Sequence, residues 1–502
     1  MLHLSFAQVS FSYDRSPTLV IDDLSFDAHA GWTGVLGPNG GGKTTILALA
    51  TGRLTPTSGS VVRPESALYC EQRTDNPPEG LPDLLSFPDA DAGRIASMLE
   101  IEADWPYRWE SLSHGERKRA QIAVALWQDP ELLALDEPTN HLDAYSLSLI
   151  ATGLERFAGI GLLVSHDRAT LDRLCSRCLW LDRFAPPVLR PGGYSSGARE
   201  LARERQEARR EREAAASEIR RIEAEAARRR EKAAAQHKRR SKRGLRWKDS
   251  DAREKIDRAR ISGADGTAGR LLRQLDGRRE QVSRRLSDTS RPVNERVGVS
   301  VHGVRSKRDA LLSRDAGELW LPDGRVLAHP HLEIRGTNRV AITGRNGAGK
   351  STLVSALLRE ASLDDGLILF VPQELSAEDG GALIAQVREM PPPSRAGVIS
   401  TVSRLGSDPE AVLATARPSP GEARKLKLAL GLEDAPAIIV MDEPTNHLDV
   451  TSIECLEAAL RSFEGALLLV SHDTRFIEST CSTRWHIAES GVLEVEPIGG
   501  FS

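Results

Sequence analysis

Gly37-Pro38-Asn39-Gly40-Gly41-Gly42-Lys43-Thr44-Thr45 returns 307 residues later as Gly344-Arg345-Asn346-Gly347-Ala348-Gly349-Lys350-Ser351-Thr352. Both stretches read Gly-x4-Gly-Lys-Ser/Thr, the pattern of a phosphate-binding loop. Glycines let the backbone wind tightly enough for several N–H groups to face one anion. Each loop follows an apolar run (34–36, 340–343) and precedes another (46–50, 353–358). Strand, loop and helix in that order aim the positive helix N-terminus at the same anion. Two such loops predict an α/β protein with two P-loop domains in tandem.

Three further landmarks repeat in the same order. Asp-Glu-Pro-Thr-Asn-His-Leu-Asp occupies 136–143 and 442–449, Ser-His-Asp occupies 165–167 and 471–473, and Ser-x-Gly-Glu occupies 113–116 and 419–422, each pair 306 residues apart. Four matched landmarks mark a duplication. The halves run over 1–192 and 297–502, with a segment of different composition at 193–296.

That middle segment is rich in Arg, Glu and Ala. Between 199 and 248 it holds 19 Lys/Arg against 9 Asp/Glu, while the whole chain carries a net charge of −4. Strong helix formers without Gly or Pro from Ala198 to Arg243 predict one long helix. Leu201, Ala208, Ala215, Ile219, Ile222, Ala226 and Ala233 space a narrow seam along it. A helix of ~45 residues would reach ~70 Å. Ala268, Leu271, Leu275, Val282 and Leu286 space a second seam, so the segment reads as an antiparallel hairpin turning near 244–250. Residues 237–248 carry seven positive charges, no negative ones and Trp247, which makes the far end basic.

Composition bounds the rest. At 502 residues, 40% of them hydrophobic and 27% charged, the chain can bury two sizeable cores. Five cysteines without dense spacing do not form a disulfide framework and fit a reducing, cytoplasmic setting. Cys175 and Cys178 form a lone C-x-x-C that reads as packing. No apolar run is long enough to span a bilayer, and the N-terminus alternates like a strand and lacks the basic start of a signal peptide.

The repeated residues carry a consistent chemistry. Lys43 and Lys350 would reach the β- and γ-phosphates of a nucleotide, and Thr44 and Ser351 would hold Mg²⁺. Gly37, Asn39, Gly40, Gly42 and Thr45 shape the first loop; Gly344, Asn346, Gly347, Gly349 and Thr352 shape the second. Asp136 and Asp442 end buried strands and would bind Mg²⁺ through its water shell, with Glu137 and Glu443 one residue on to polarise an attacking water. His166 and His472 stand 30 residues after those aspartates, where they can sense a γ-phosphate. Gln72 and Gln373 each follow a short strand and suit a Mg²⁺ or water contact. Ser113 and Gly115 open a basic helix 23 residues before Asp136 and offer N–H groups to an anion; Ser419 and Gly421 do the same before Asp442. Tyr13 is a candidate for stacking on a base ahead of the first loop. The equivalent place in the second half lies near Trp320 and Leu321.

In this order, P-loop, glutamine, Leu112-Ser113-His114-Gly115-Glu116, DEPTNHLD and Ser-His-Asp resemble the ATP-binding cassette superfamily. The doubled EPTNHLD and the basic helical linker resemble its ABC-F branch, over nearly the whole chain. The resemblance implies an ATPase whose cassettes close head-to-tail around two ATP and Mg²⁺, a monomer with intramolecular pairing. Site one would join Lys43, Thr44, Gln72, Asp136, Glu137 and His166 to Ser419 and Gly421. Site two would join Lys350, Ser351, Gln373, Asp442, Glu443 and His472 to Ser113 and Gly115. It also implies a ribosome partner, with the linker sent toward P-site tRNA and rRNA, either as a translation factor or as protection against antibiotics. Three departures stand out. The second signature reads Pro418-Ser419-Pro420-Gly421-Glu422, and proline removes one backbone donor. About 40 residues separate Gln72 from Ser113, too few for the extra arm of some members; the C-terminal coiled coil of others is also expected to be missing. The competing classes are the motor subunit of a membrane transporter and a DNA-associated cassette ATPase. The linker and the EPTNHLD motifs disfavour the first; the second usually brings zinc modules or longer coiled coils.

Overall fold

The structure is a computed structural model that describes residues 2–13, 19–86, 90–182, 185–239, 274–285, 310–361 and 365–499. The chain divides into two compact units, Met1–Gly197 with Arg296–Ser502, and Ala198–Glu295.

In the first unit the duplication is visible strand by strand. One six-stranded sheet runs in the order Ala67–Cys70, Leu132–Asp136, Ile160–Val164, Gly31–Leu36, Cys175–Trp180, Val188–Pro191. The other runs Ile368–Val371, Ile438–Asp442, Ala466–Val470, Arg339–Gly344, Thr483–Ile487, Leu493–Pro497. All neighbours are parallel except the last pair in each. Parallel strands covered on both faces need continuous apolar sequence, and Leu132–Asp136, Ile160–Val164, Ile438–Asp442 and Ala466–Val470 are buried at every position. Crossover from strand to helix places both P-loops, both Asp-Glu pairs and both Ser-His-Asp triplets at the carboxyl ends of strands, where open α/β sheets bind ligands.

Smaller layers flank these sheets. Leu4–Phe11 pairs with Ile21–Ala28 and Ser58–Val62 in an antiparallel sheet. The second half substitutes two short two-stranded sheets, Leu312–Arg314 with Leu332–Ile334 and Gly317–Trp320 with Val326–His329. A helical layer carries each signature turn: Leu81–Ser86, Ala90–Met98 and His114–Trp127 in one half, Ala377–Glu389, Pro392–Arg404, Pro409–Ala414 and Pro420–Glu433 in the other. The latter has its own core of Ile384, Val387, Val398, Val402, Leu426, Ala429 and Leu430. Cys175 and Cys178 are both buried in the sheet, as packing residues.

The long helix spans Tyr194–Arg239 and begins earlier than its composition suggests. It runs through Gly197, where a side chain would fall 2.6 Å from the Trp180 indole nitrogen, so glycine is the residue that fits. Within the second unit Ile222, Ala226 and Val282 are buried, so the seam is where two helices meet. Glu218–Arg278, Glu223–Arg279 and Arg230–Asp276 pair the long helix with the helix 274–285 in antiparallel sense. Arg240, Lys242, Arg243, Gly244, Trp247, Ala268, Leu271 and Leu286 lie outside the described residues. Among the described residues, no helix is long and apolar enough to cross a membrane.

Candidate functional site

Both P-loops turn into their helices through a glycine with positive φ, 87° at Gly42 and 97° at Gly349. A side chain at Gly349 would also meet Leu321 Cδ2 at 2.6 Å, so only glycine fits. The turn folds each lysine back over its own loop. Lys43 Nζ donates to the carbonyls of Gly37 (2.9 Å) and Pro38 (3.3 Å). Lys350 Nζ donates to those of Gly344 (2.9 Å) and Arg345 (3.0 Å). Burial pulls both ammonium groups below their usual range, against the acidic residues nearby. A phosphate in the loop would add negative charge beside ammonium groups that burial has stripped of water.

Thr44 Oγ1 donates to Asp136 Oδ2 at 2.8 Å, and Ser351 Oγ to Asp442 Oδ2 at 2.7 Å. These are the hydroxyl and carboxylate oxygens a hard divalent cation takes. Asp442 Oδ1 and Glu137 Oε2 are buried acceptors without a protein donor, so the oxygen set fits Mg²⁺. Glu137 and Glu443 both sit in the left-handed region, φ 48° and 47°, where non-glycine backbone is strained.

The two sites then diverge. His166 Nε2 lies 2.9 Å from Glu137 Oε1. Burial alone would raise this carboxyl, but His166 outweighs it and holds Glu137 below the usual range. His472 Nε2 instead accepts from Lys350 Nζ at 2.9 Å and stands 3.3 Å from Glu443 Oε1. Burial and the Lys350 ammonium push His472 down to about 3. Burial pushes Glu443 up to about 8, against Lys350 and with Asp442. Asp136 has a second donor that sequence reading missed, the Tyr69 hydroxyl at 2.8 Å. Its counterpart across the duplication is Phe370, which has no hydroxyl to give.

The halves meet through their P-loops. Asn39 N donates to Asp449 Oδ2 (3.0 Å) and Asn39 Nδ2 to the His447 carbonyl (3.0 Å). Asn346 N donates to Asp143 Oδ2 (3.1 Å) and Asn346 Nδ2 to the His141 carbonyl (3.0 Å). Each P-loop therefore binds the end of the other half's DEPTNHLD, and Asp143 and Asp449 join the site although sequence reading had not singled them out. The matched last letter of that repeat was the signal that could have found them. Gly421 packs against the same His447 carbonyl and Gly115 against Ser146 and Leu142. Ser113 and Ser419 both cap their helices in reciprocal boxes with Glu116 and Glu422.

A cavity of about 830 Å³ is lined by Lys350, Ser351, Gln373, Asp442, Glu443 and His472 from one half and Ser113 from the other. Thr352, Gly347 and Leu321 also line it, whereas Trp320 is exposed. At the first site the Tyr13 hydroxyl is 3.2 Å from Thr45 Oγ1, beside the P-loop helix. Gln72 is exposed, and its backbone carbonyl accepts from Lys118 Nζ at 3.0 Å. Gln373 is thus brought to its site, while the Gln72 side chain is not drawn in.

The family model described as "ABC transporter" matches residues 21–140 and again 327–446. The ATP-binding protein Uup of Caulobacter vibrioides is 31% identical over 93% of this chain and 74% of its own length. The chain belongs to the ABC-F family of ATP-binding cassette proteins. A second ABC-F relative, the ribosome protection protein VmlR of Bacillus subtilis, is 29% identical over 91% of this chain and 82% of its own. In fold, the chain matches a structure titled "Model of ribosome-bound archaeal Pelota and ABCE1" with a TM-score of 0.62 at 19% identity, covering 98% of this chain and 79% of that one. Tandem cassettes of mixed α/β sheets are therefore the architecture of this ABC-F chain.

Proposed function

We propose that this chain is a two-site ATPase that binds the ribosome in its ATP state, as a monomer, in the cytoplasm. The reciprocal bonding of Asn39 to Asp449 and of Asn346 to Asp143 carries the reading. It brings each P-loop to the opposite half, as composite sites require. In site one Lys43 binds phosphate, Thr44 and Asp136 hold Mg²⁺, joined by Gln72 once its exposed side chain turns inward, Glu137 polarises the water and His166 senses the γ-phosphate. In site two Lys350, Ser351, Asp442, Gln373, Glu443 and His472 take the same roles. Bound Mg²⁺ would supply charge neutralisation on the phosphates. Ser419 with Gly421 completes site one, and Ser113 with Gly115 completes site two. The ribosome part is supported by VmlR's name and by the basic linker, which suits a phosphate-dense RNA groove.

The test is a trap. Glu137→Gln with Glu443→Gln keeps ATP binding and blocks hydrolysis, which favours the closed state. The doubly substituted protein is expected to co-sediment with ribosomes in ATP and not in ADP. Migration as free protein in both nucleotides would sink the ribosomal reading.

The two sites are expected to turn over unequally. Pro420 occupies the first helical position of Pro420–Glu433, where His114 stands in the other half. Proline fits there sterically and leaves the Ser419 cap intact, but it withholds one N–H from site one. A missing donor to a charged ligand is worth roughly tenfold. In single-turnover assays the Glu137→Gln protein, which relies on site two, is therefore expected to be about tenfold faster than the Glu443→Gln protein. Equal residual rates would refute this.

A further inference from the structure

The helix that follows each signature carries a buried cation at the same place, five residues past the capping serine. In the first half it is Lys118, 1% exposed; in the second it is Arg424, 3% exposed. Equivalent positions would be expected to make equivalent contacts, and these do not. Lys118 Nζ donates to the backbone carbonyls of Glu71 (2.9 Å) and Gln72 (3.0 Å), with Gln121 Oε1 at 2.8 Å. Arg424 Nη1 donates to the carbonyls of Glu443 (2.9 Å) and Asn446 (3.0 Å).

Each helix therefore touches both composite sites. Pro420–Glu433 starts at Ser419, on site one, and four residues into the helix Arg424 grips the backbone of Glu443, the water-polarising residue of site two. His114–Trp127 starts at Ser113, on site two, and Lys118 grips Gln72 of site one. The grip on Glu443 matters most. That residue is held at φ 47°, its N–H is fixed to the Val470 carbonyl at 2.8 Å, and its own carbonyl is the group Arg424 holds. A strained conformer persists only when its surroundings over-determine it. Glu137 has the matching strain at φ 48° and the matching bond to Val164 at 2.9 Å. Among the described residues its carbonyl receives the Asn140 N–H at 3.4 Å, and no side-chain cation.

We propose that Arg424 and Lys118 are positioning residues that wire the two sites together: the signature helix of site one sets Glu443 of site two through Arg424, and the signature helix of site two sets Gln72 of site one through Lys118. This rests on the two-site ATPase reading. The wiring is unequal, because one wire ends on the group that handles water and the other on the backbone of Gln72, whose exposed side chain reaches Mg²⁺ only once it turns inward. Occupancy of site one should then govern the rate of chemistry at site two, while the reverse influence acts on the metal.

The test separates the sites. Arg424→Met is introduced into the Glu137→Gln protein, which turns over at site two, and into the Glu443→Gln protein, which turns over at site one. Removing a charged donor to two buried carbonyls is expected to lower kcat at site two roughly 10- to 100-fold with KM unchanged. Site one should keep its rate. Arg424→Lys retains the charge and one carbonyl contact and should recover much of the loss. Hydrogen–deuterium exchange gives a readout independent of turnover: Arg424→Met should raise exchange across 443–449 and leave 137–143 as it was. Lys118→Met should show the converse, slowing site one and loosening residues 70–74. Slowing of both sites alike by Arg424→Met, or no rescue by lysine, would overturn the proposal. If no variant hydrolyses ATP, the ATPase reading falls by itself. Unchanged exchange at 443–449 would then still overturn the positioning role.

Discussion

Replacing Gly421 by valine is expected to cut ATP turnover about a hundredfold, the scale on which a displacement of about 1 Å at a reacting centre acts. The reason is local and backbone-borne. A Cβ on Gly421 would lie 2.8 Å from the His447 carbonyl oxygen and 3.3 Å from Leu448 Cδ2. That carbonyl cannot swing aside freely, because His447 already sits at φ 63° and its oxygen accepts the Asn39 side chain from the other cassette. Valine therefore pushes on the bond that seats the first P-loop against the second half. Phosphate release measures the loss, and thermal unfolding by circular dichroism checks that the fold survives. Turnover near that of the parent protein would mean that the signature turn does not approach the opposite P-loop in the working state.

The second large effect is expected on the linker. Neutralising Lys238, Arg239, Arg240, Lys242 and Arg243 together should weaken ribosome binding and flatten its dependence on salt. Each phosphate left without its cation takes about one unit from the slope of log affinity against log salt, so removing five cations takes about five. Intrinsic ATPase of the isolated protein should not change. Co-sedimentation over a salt series measures the slope, and an unaltered slope would show that these charges face solvent. Loss of ATPase would instead assign the hairpin a structural duty within the cassettes.

The fold was legible because the features that define it are short and local. An apolar run, a glycine loop and a helix identify one strand-loop-helix unit, and repetition at a fixed offset reinforces each. Asp136, Glu137, Asp442 and Glu443 stand out in the sequence for the same reason. Contacts across the chain were not. Asn39 and Asp449 are 410 residues apart, and nothing in either neighbourhood names the other. Nothing in the sequence marks Tyr69, yet its hydroxyl finds Asp136. Lys118 and Arg424 read as members of basic helices, which normally face water, yet both are buried on carbonyls. Gln72 shows the opposite limit. Its motif position was clear, but motif position does not fix a rotamer, and its side chain lies exposed.

Asp143 and Asp449 divide their labour between two oxygens. Oδ1 of each caps its own helix, accepting from Ser146 N at 2.9 Å and from Ser452 N at 2.8 Å. Oδ2 of each reaches the other cassette, at Asn346 N and Asn39 N. Breaking the Oδ2 contacts would leave both caps in place, so the cassettes could part without melting either helix. Such a seam could open and close like a press-stud sewn to cloth that never unravels. The contact between the halves then costs only itself, with no helix end to refold.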